Sequence, residues 1–410
     1  MVAAALSSRN KAIDENNVID AEPKLKLLTS AAIYGANASG KSNLIAAILF
    51  MRKNILFSAK DTQISEKIDV DIFRLGTDWE SKPSYFELVF LMDGKRYRYG
   101  FEVTSDRIVS EWLYFIPKSR EAKLFERNLD QISLGYSFKE GRGITGRVRE
   151  NALFLSVAAQ LNGQLSGKIL NWFRNMRINR GIDLEPGDFY TASMIYEAAT
   201  DKDAILKFIK TLDLDIENIT SEQVALQLPE ASSDVPKPIL ELMKMFEGEK
   251  EIKIKTAHRK CDVHGNVVSY EYFDMQRHES QGTQRIFALA PLLISALEKG
   301  EIVWIDELGA RLHPLLTLYI IGLFNDKKTN CRNAQLIFTT HDTHLLSNKL
   351  FRRDQIWFME KDKQEASHLY SLAEFKVRND ASFERDYVHG RYGAIPFIQD
   401  VESLFTNLCE

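Results

Sequence analysis

The stretch LKLLTSAAIYGANASGKSNL, Leu25 to Leu44, decides the fold. Its first half, Leu25–Tyr34, is a short apolar run that reads as one buried strand. Its second half, Gly35-Ala36-Asn37-Ala38-Ser39-Gly40-Lys41-Ser42, fits G-x-x-x-x-G-K-[S/T]. Glycines let the backbone curl so that successive N–H groups point at phosphate oxygens. The helix that follows offers its positive N-terminal end to the same anion. That helix is expected over Ser42–Lys53, with Leu44, Ile45, Ile48 and Leu49 on one face. Lys41 brings a point charge to the outer phosphates, and the Ser42 hydroxyl is a candidate ligand for Mg²⁺. Gly35, Asn37, Ser39, Gly40 and Asn43 belong to the same cradle, so the expected ligands are ATP and Mg²⁺. A chance glycine turn is the competing reading, and the strand before it and the helix after it count against that.

Toward the C-terminus, the apolar strand Ile302–Ile305 ends in Asp306-Glu307. Two adjacent carboxylates at the exposed end of a buried strand are costly unless they bind something. Asp306 would hold Mg²⁺ through water, and Glu307 would orient and deprotonate an attacking water. A solvated acidic turn is the alternative. The strand Leu336–Thr339 is followed by His341, placed to sense a γ-phosphate by hydrogen bonding or else a structural residue. Ahead of these, ESQGTQR at Glu279–Arg285 opens a helix over Thr283–Leu297. Ser280 reads as its cap, and Gly282 and Thr283 keep the first turn open. In a monomer this is only a capped helix; in a dimer the same helix end meets the γ-phosphate bound by the other subunit. Further elements, a helix over Pro314–Phe324 and strands over Gln335–Thr339 and Gln355–Glu360, complete an alternation that predicts a mainly parallel sheet.

The middle of the chain reads differently. Ser84–Phe90 and Arg96–Val103 alternate around Asp93-Gly94, a strong hairpin signal, and β character continues to Arg127. An antiparallel β unit is expected from Pro83 to about Asn128. From Leu165 to Leu212 the pattern turns helical, with a further short helix over Pro236–Phe246 and a breaker-rich loop over Gln227–Lys237. Ile252–Thr256 and Val267–Phe273 form a hairpin around His264-Gly265-Asn266. The expected organisation is residues 1–160 as the first half of the nucleotide domain, 161–250 as a helical lobe, and 251–410 as the second half. The lobe is either a packed structural element or a partner-binding one.

Composition narrows the class. The 410-residue chain has a formal net charge of -4, so it lacks the basic signature that implies nucleic acid. Cys261, Cys331 and Cys409 are scattered and odd in number, which fits a reducing cytoplasm better than a disulfide scaffold. Cys261 and His264 have ligand-like spacing but no second pair. The apolar run Phe287–Leu297 falls short of the roughly 18–20 residues of a membrane span, so no membrane association is expected. No basic region precedes the short apolar start at Met1, so no signal peptide is expected.

The order Gly35–Ser42, Ser280–Thr283, Asp306–Glu307, His341 resembles that of the ABC-type ATPases of the SMC, RecF and OLD branch. The likeness is strongest to prokaryotic AAA-type ATPases of the RloA/AbiL/AriA kind, associated with abortive infection and antiphage defence. It rests on AAIYGANASGKSNL (Ala31–Leu44), ALFLSVAAQLN (Ala152–Asn162), WIDELGARLHP (Trp304–Pro314), TTHDTHLL (Thr339–Leu346) and HGRYGAIP (His389–Pro396), which together span nearly the whole chain. The resemblance implies an α/β fold: an ABC-type P-loop ATPase with a mixed sheet, an antiparallel β subdomain and an inserted helical lobe. It makes Ser280, Gly282 and Thr283 a signature motif acting in trans within a homodimer or higher homo-oligomer. It also makes Leu308–His313 an interface loop, and Gln160 a Mg²⁺- and water-contacting residue. Three departures accompany it. The signature is ESQGT, Gly309 stands where many relatives carry Asp, and relatives usually begin with an extra strand before the position of Met1, which would leave an open edge here. No nuclease domain is expected after GRYGAIP. The expected role is therefore a sensor or scaffold ATPase controlling a separate effector, a toxin or nuclease. The alternative is a RecF/SMC-like DNA-repair or DNA-maintenance ATPase, with DNA as partner.

Overall fold

A computed structural model describes residues 1–4, 11–117, 120–180, 202–212, 214–225, 250–378 and 381–396. The chain divides into two compact units. One comprises Met1–Arg180, Glu301–Leu308 and Ile321–Glu410; the other comprises Gly181–Gly300 and Gly309–Ile320.

The first unit holds the phosphate loop, Asp306, Glu307 and His341 around a six-stranded sheet of order β16-β15-β3-β14-β13-β9. These strands are β3 (Ser30–Tyr34), β9 (Arg177–Asn179), β13 (Ile302–Ile305), β14 (Gln335–Thr339), β15 (Ile356–Lys361) and β16 (Ser367–Ser371). All pair in parallel except β16, which runs antiparallel to β15. β3 is buried along its whole length and β14 nearly so, as near-continuous apolar runs require when both faces are covered. Because β3, β14 and β13 are adjacent and parallel, the segments after Tyr34, Thr339 and Ile305 emerge at one edge. That is the carboxyl edge where α/β sheets bind ligands.

The run Leu25–Tyr34 is not the single strand expected. It forms β2 (Leu25–Leu28) and then β3, broken at Thr29. The hydroxyls of Thr29 and Ser30 both donate to Asn325 Oδ1, each at 2.7 Å, and pin the break. β2 pairs antiparallel with β1 (Val18–Glu22). Met1–Ala3 lie along its other edge, through Leu28 N to Met1 O at 3.2 Å and Ala3 N to Lys26 O at 2.8 Å.

The second sheet of this unit is the expected antiparallel unit: β4 (Ser84–Met92), β5 (Lys95–Val103), β6 (Ile108–Ile116), β7 (Ala122–Asn128) and β8 (Gln131–Leu134), paired in sequence order. Asp93 and Gly94 both have positive φ, 51° and 68°, as a two-residue turn of this hand needs. The inner face, including Phe90, Tyr99, Phe101 and Phe125, packs with Met51 and Ile55 of α2 (Lys41–Phe57). It also packs with Phe154 of α3 (Phe154–Gln160) and Phe173 of α4 (Gln164–Arg174). Within that core, the fully buried Glu111 carboxylate accepts from Phe154 N at 2.6 Å, Leu155 N at 3.0 Å and Tyr99 Oη at 3.0 Å. It thereby satisfies orphan donors in the first turn of α3.

The HGRYGAIP block packs against β15 and β16, with Tyr392 stacked on Phe358 at 5.6 Å. The helix before it, Phe383–Val388, places Tyr387 edge-on to Tyr34 at 5.9 Å, and Tyr370 Oη donates to Tyr392 O at 2.7 Å.

In the second unit, a helix (Lys202–Lys210) precedes a three-stranded antiparallel sheet: β10 (Asn218–Ala225), β11 (Lys250–Cys261) and β12 (Val267–Asp274). Part of the segment expected as a helical lobe is therefore strand. Its remainder at 181–201 and 226–249, with the breaker-rich loop and the Pro236–Phe246 helix, lies outside the described residues. The helix Gln281–Lys299 follows, capped by Ser280. Among the described residues no helix is long and apolar enough to cross a membrane.

Candidate active site

The phosphate-loop geometry follows from its residues. Gly40 sits at φ 105° and acts as the N-cap of α2; a Cβ there would fall 2.2 Å from Ser367 Oγ. A Cβ on Gly35 would fall 2.5 Å from both Met359 O and Ser39 Oγ. Only glycine fits either place. The Ser39 hydroxyl is buried and has no hydrogen-bond partner among the described residues. Lys41 is buried at the first turn of α2, its Nζ donating to Gly35 O at 2.9 Å and Ala36 O at 3.0 Å. Burial pulls the Lys41 pKa down, with Glu307 and Asp306 pulling it the other way.

The carboxylates arrive from the neighbouring strands. β13 is in register with β14, so Asp306 ends up beside Thr339. The Thr339 hydroxyl donates to Asp306 Oδ1 at 2.5 Å and accepts from Glu307 N at 2.8 Å. Thr339 O accepts from Leu308 N at 3.1 Å. These bonds hold Glu307 at φ 50°, a left-handed backbone that costs a non-glycine residue about 1–3 kcal/mol. His341 follows β14 and brings its Nε2 to 3.6 Å from Glu307 Oε1. The His341 pKa is lowered by burial first and by the Lys41 charge second, against Glu307 and Asp306, so the ring is neutral at pH 7.

Asn37, Ser39, Gly40, Lys41, Ser42, Asn43, Glu307 and His341 line one cavity of about 550 Å³, with Ala38 and Lys361. These donors fit a polyphosphate: a glycine-formed cradle at a helix N-terminus, an unpartnered buried hydroxyl and a buried ammonium. Ser42 and Asp306 fit a hard divalent cation by their oxygen chemistry. Gln160, expected to join them, is exposed at the end of α3 and does not line the cavity. Ser156 of the same helix donates to Ile55 O, near the far end of α2. That is about 20 Å from Lys41 at 1.5 Å per residue.

Ser280, Gly282 and Thr283 lie in the second unit. Ser280 Oγ accepts from Thr283 N at 3.1 Å and lies 2.9 Å from Thr283 Oγ1. A Cβ on Gly282 would stand 3.0 Å from Arg311 O, so this turn packs on the backbone of the 308–313 loop.

A protein-family model described as "AAA domain, putative AbiEii toxin, Type IV TA system" matches residues 30–347. The chain belongs to this family. No curated protein matches it. Among solved structures it is similar to a crystal structure of the SmcHead bound to the C-winged helix domain of ScpA. The two are 16% identical with TM-score 0.42, over 85% of this chain and 92% of that one. It is also similar to the SMC head domain from Thermotoga maritima, 15% identical with TM-score 0.36, over 83% of this chain and 89% of that one.

Two residues at or beside this site escaped the sequence reading. Thr339 has no motif of its own; its role comes from the pairing of β13 with β14. Lys361 ends β15, whose parallel pairing with β3 brings it to the carboxyl edge. The signal available in sequence was only that strands of a parallel sheet deliver their C-terminal residues to one edge.

Proposed function

We propose that this chain is a Mg²⁺-dependent ATPase that serves as a nucleotide-controlled sensor or scaffold in prokaryotic antiphage defence and governs a separate effector protein. The observation that carries the enzymatic part is the convergence of Lys41, Glu307 and His341 on one cavity at the carboxyl edge of the parallel sheet. Ser42 and Asp306 would hold Mg²⁺, which when bound neutralises charge on the phosphate oxygens. The loop N–H groups and Lys41 bind and orient the β- and γ-phosphates. Glu307, fixed by its strained backbone and by Thr339, accepts the proton of the attacking water. His341, neutral and beside Glu307, donates or accepts a hydrogen bond at the γ-phosphate. By resemblance, Ser280, Gly282 and Thr283 complete the site of a second subunit in a homodimer. The type IV toxin–antitoxin wording of the family description supports the defence role.

Glu307→Gln tests the chemistry. Turnover is expected to fall by about 10²–10⁴, the usual worth of a general base, while ATP affinity in titration calorimetry stays near wild type. Wild-type turnover in that variant would assign the base elsewhere.

A further inference from the structure

β15 flanks the phosphate loop on the side away from Glu307 and His341. In the order β16-β15-β3-β14-β13, β3 leads into the loop. His341 follows β14 and Glu307 follows β13, on one side of β3; β15 lies on the other. The two faces of β15 meet different neighbours, as the period of two in a strand requires. Phe358 and Glu360 face the C-terminal block: Phe358 stacks on Tyr387 at 5.3 Å, and Glu360 Oε2 accepts from Tyr370 Oη at 3.0 Å. Met359 and Lys361 take the opposite face, toward the phosphate loop. Met359 is buried with Ile33 and Ile337, and its sulfur lies 3.4 Å from the place of a Gly40 Cβ. Ser367, paired with Lys361 across the β15–β16 hairpin, brings its hydroxyl within 2.2 Å of the same point. That face carries Lys361 to the cavity, which it lines together with Lys41 and Asn37. The turn beyond it is fixed by Asp362, whose Oδ1 accepts from Gln364 N at 2.8 Å and Ala366 N at 3.0 Å. Among the described residues the Lys361 ammonium meets Glu365 Oε2 at 3.3 Å. The two side chains are 36% and 64% exposed, so this pair contributes little and opens readily.

We propose that Lys361 is a nucleotide-binding residue, exchanging Glu365 for the part of the phosphate chain that ATP and ADP share. This rests on the nucleotide reading of the cavity. The sheet order fixes which part of the ligand it meets. The γ-phosphate belongs beside Glu307 and His341, so a cation arriving across β3 from them meets the nucleotide nearer its α-phosphate. Lysine suits the task, because a compact charge on a flexible stem can swing from a carboxylate to a phosphate without a fixed fork geometry. Lys41 then acts from the start of α2 and Lys361 from the flank. The second ammonium holds substrate and product alike, whereas Glu307 and His341 address only the phosphate that leaves.

The test is titration calorimetry of the full chain with Mg²⁺, using ADP and a non-hydrolysable ATP analogue. Lys361→Gln should raise both dissociation constants by the same factor, about tenfold, the usual worth of one hydrogen bond to a charged group. Lys361→Arg keeps the charge and should stay within about twofold of wild type. Glu365→Gln removes the competing carboxylate and should tighten both nucleotides about twofold. Position 361 is exposed at the end of a hairpin strand, so the melting temperature of Lys361→Gln without nucleotide should match wild type, which separates a lost contact from a lost fold. Wild-type affinity of Lys361→Gln for both nucleotides would overturn the proposal. So would a loss confined to the ATP analogue, which would place Lys361 at the γ-phosphate. Lys41→Ala is measured alongside. If it loses binding and Lys361→Gln does not, the Lys361 assignment alone falls; if neither loses binding, the nucleotide reading of the cavity falls with it.

Discussion

Lys41 and Glu111 are both buried ionisable groups in the first unit, both shifted by burial, and they do opposite jobs. The Glu111 carboxyl is pushed up by burial, while Arg127, two backbone N–H groups and Tyr99 oppose the shift. Its partners lie inside the core, at the joint between β6 and α3, and the residue faces no solvent. Among the described residues Lys41 is held by two loop carbonyls, beside a serine hydroxyl without a partner there, and it opens onto a cavity shared with Glu307 and His341. A perturbed ionisable group therefore marks a functional site only when its remaining capacity points at open space. A satisfied one is architecture.

The sharpest way to break this contrast is to remove each charge and watch which property responds. Lys41→Ala should weaken ATP binding by about 2–5 kcal/mol, the cost of truncating one partner of a desolvated charge pair. Its thermal stability without ATP should stay near wild type. Unchanged affinity in calorimetry would discard the phosphate-loop assignment. Glu111→Ala should do the reverse. It strands two first-turn N–H groups and the Tyr99 hydroxyl and removes the charge that faces Arg127, and should cost about 3 kcal/mol or more in denaturant unfolding, at roughly 1–3 kcal/mol per stranded group. ATP affinity of the folded fraction should not move. If Glu111→Ala lowered affinity without lowering stability, the division between the two groups would be wrong.

The same contrast explains what was legible in sequence. The phosphate cradle is local: eight consecutive residues carry the turn, the helix N-terminus and the cation, so Gly35–Ser42 can be read directly. Asp306-Glu307 and His341 are legible because each follows an apolar strand. Thr339 and Lys361 are not, because their place at the cavity arises from pairing between strands far apart in the chain. Glu111 is not legible either, since an acidic residue in the middle of an alternating strand gives no sign that a helix will end against it. Two expectations about secondary structure failed on tertiary grounds. The run Leu25–Tyr34 splits because Thr29 and Ser30 find a shared acceptor in Asn325. In the segment expected as a helical lobe, Asn218–Ala225 becomes strand because it pairs with β11 along its whole length.

The smallest expected effect concerns His341 and pH. Its pKa in the folded chain lies below the ordinary 6.5, through burial first and the Lys41 charge second, against Glu307 and Asp306. The unfolded chain therefore binds the proton more readily than the folded one. Stability should rise with pH through the window from the lowered folded value up to 6.5, and be independent of this group above it. Acidification below 6.5 should thus cost the wild type stability that His341→Asn does not lose. Melting temperatures of the two proteins, measured without nucleotide at steps from neutral pH downward, should keep a constant gap above 6.5. Below it the wild type should fall relative to the variant. The shift should be modest, because the ring is half-buried and its charge interactions are partly screened. A wild type that gained stability relative to His341→Asn on acidification would mean the ring is held protonated by Glu307. It would then reach the γ-phosphate as a cation, and the neutral-ring role assigned to it would have to be given up.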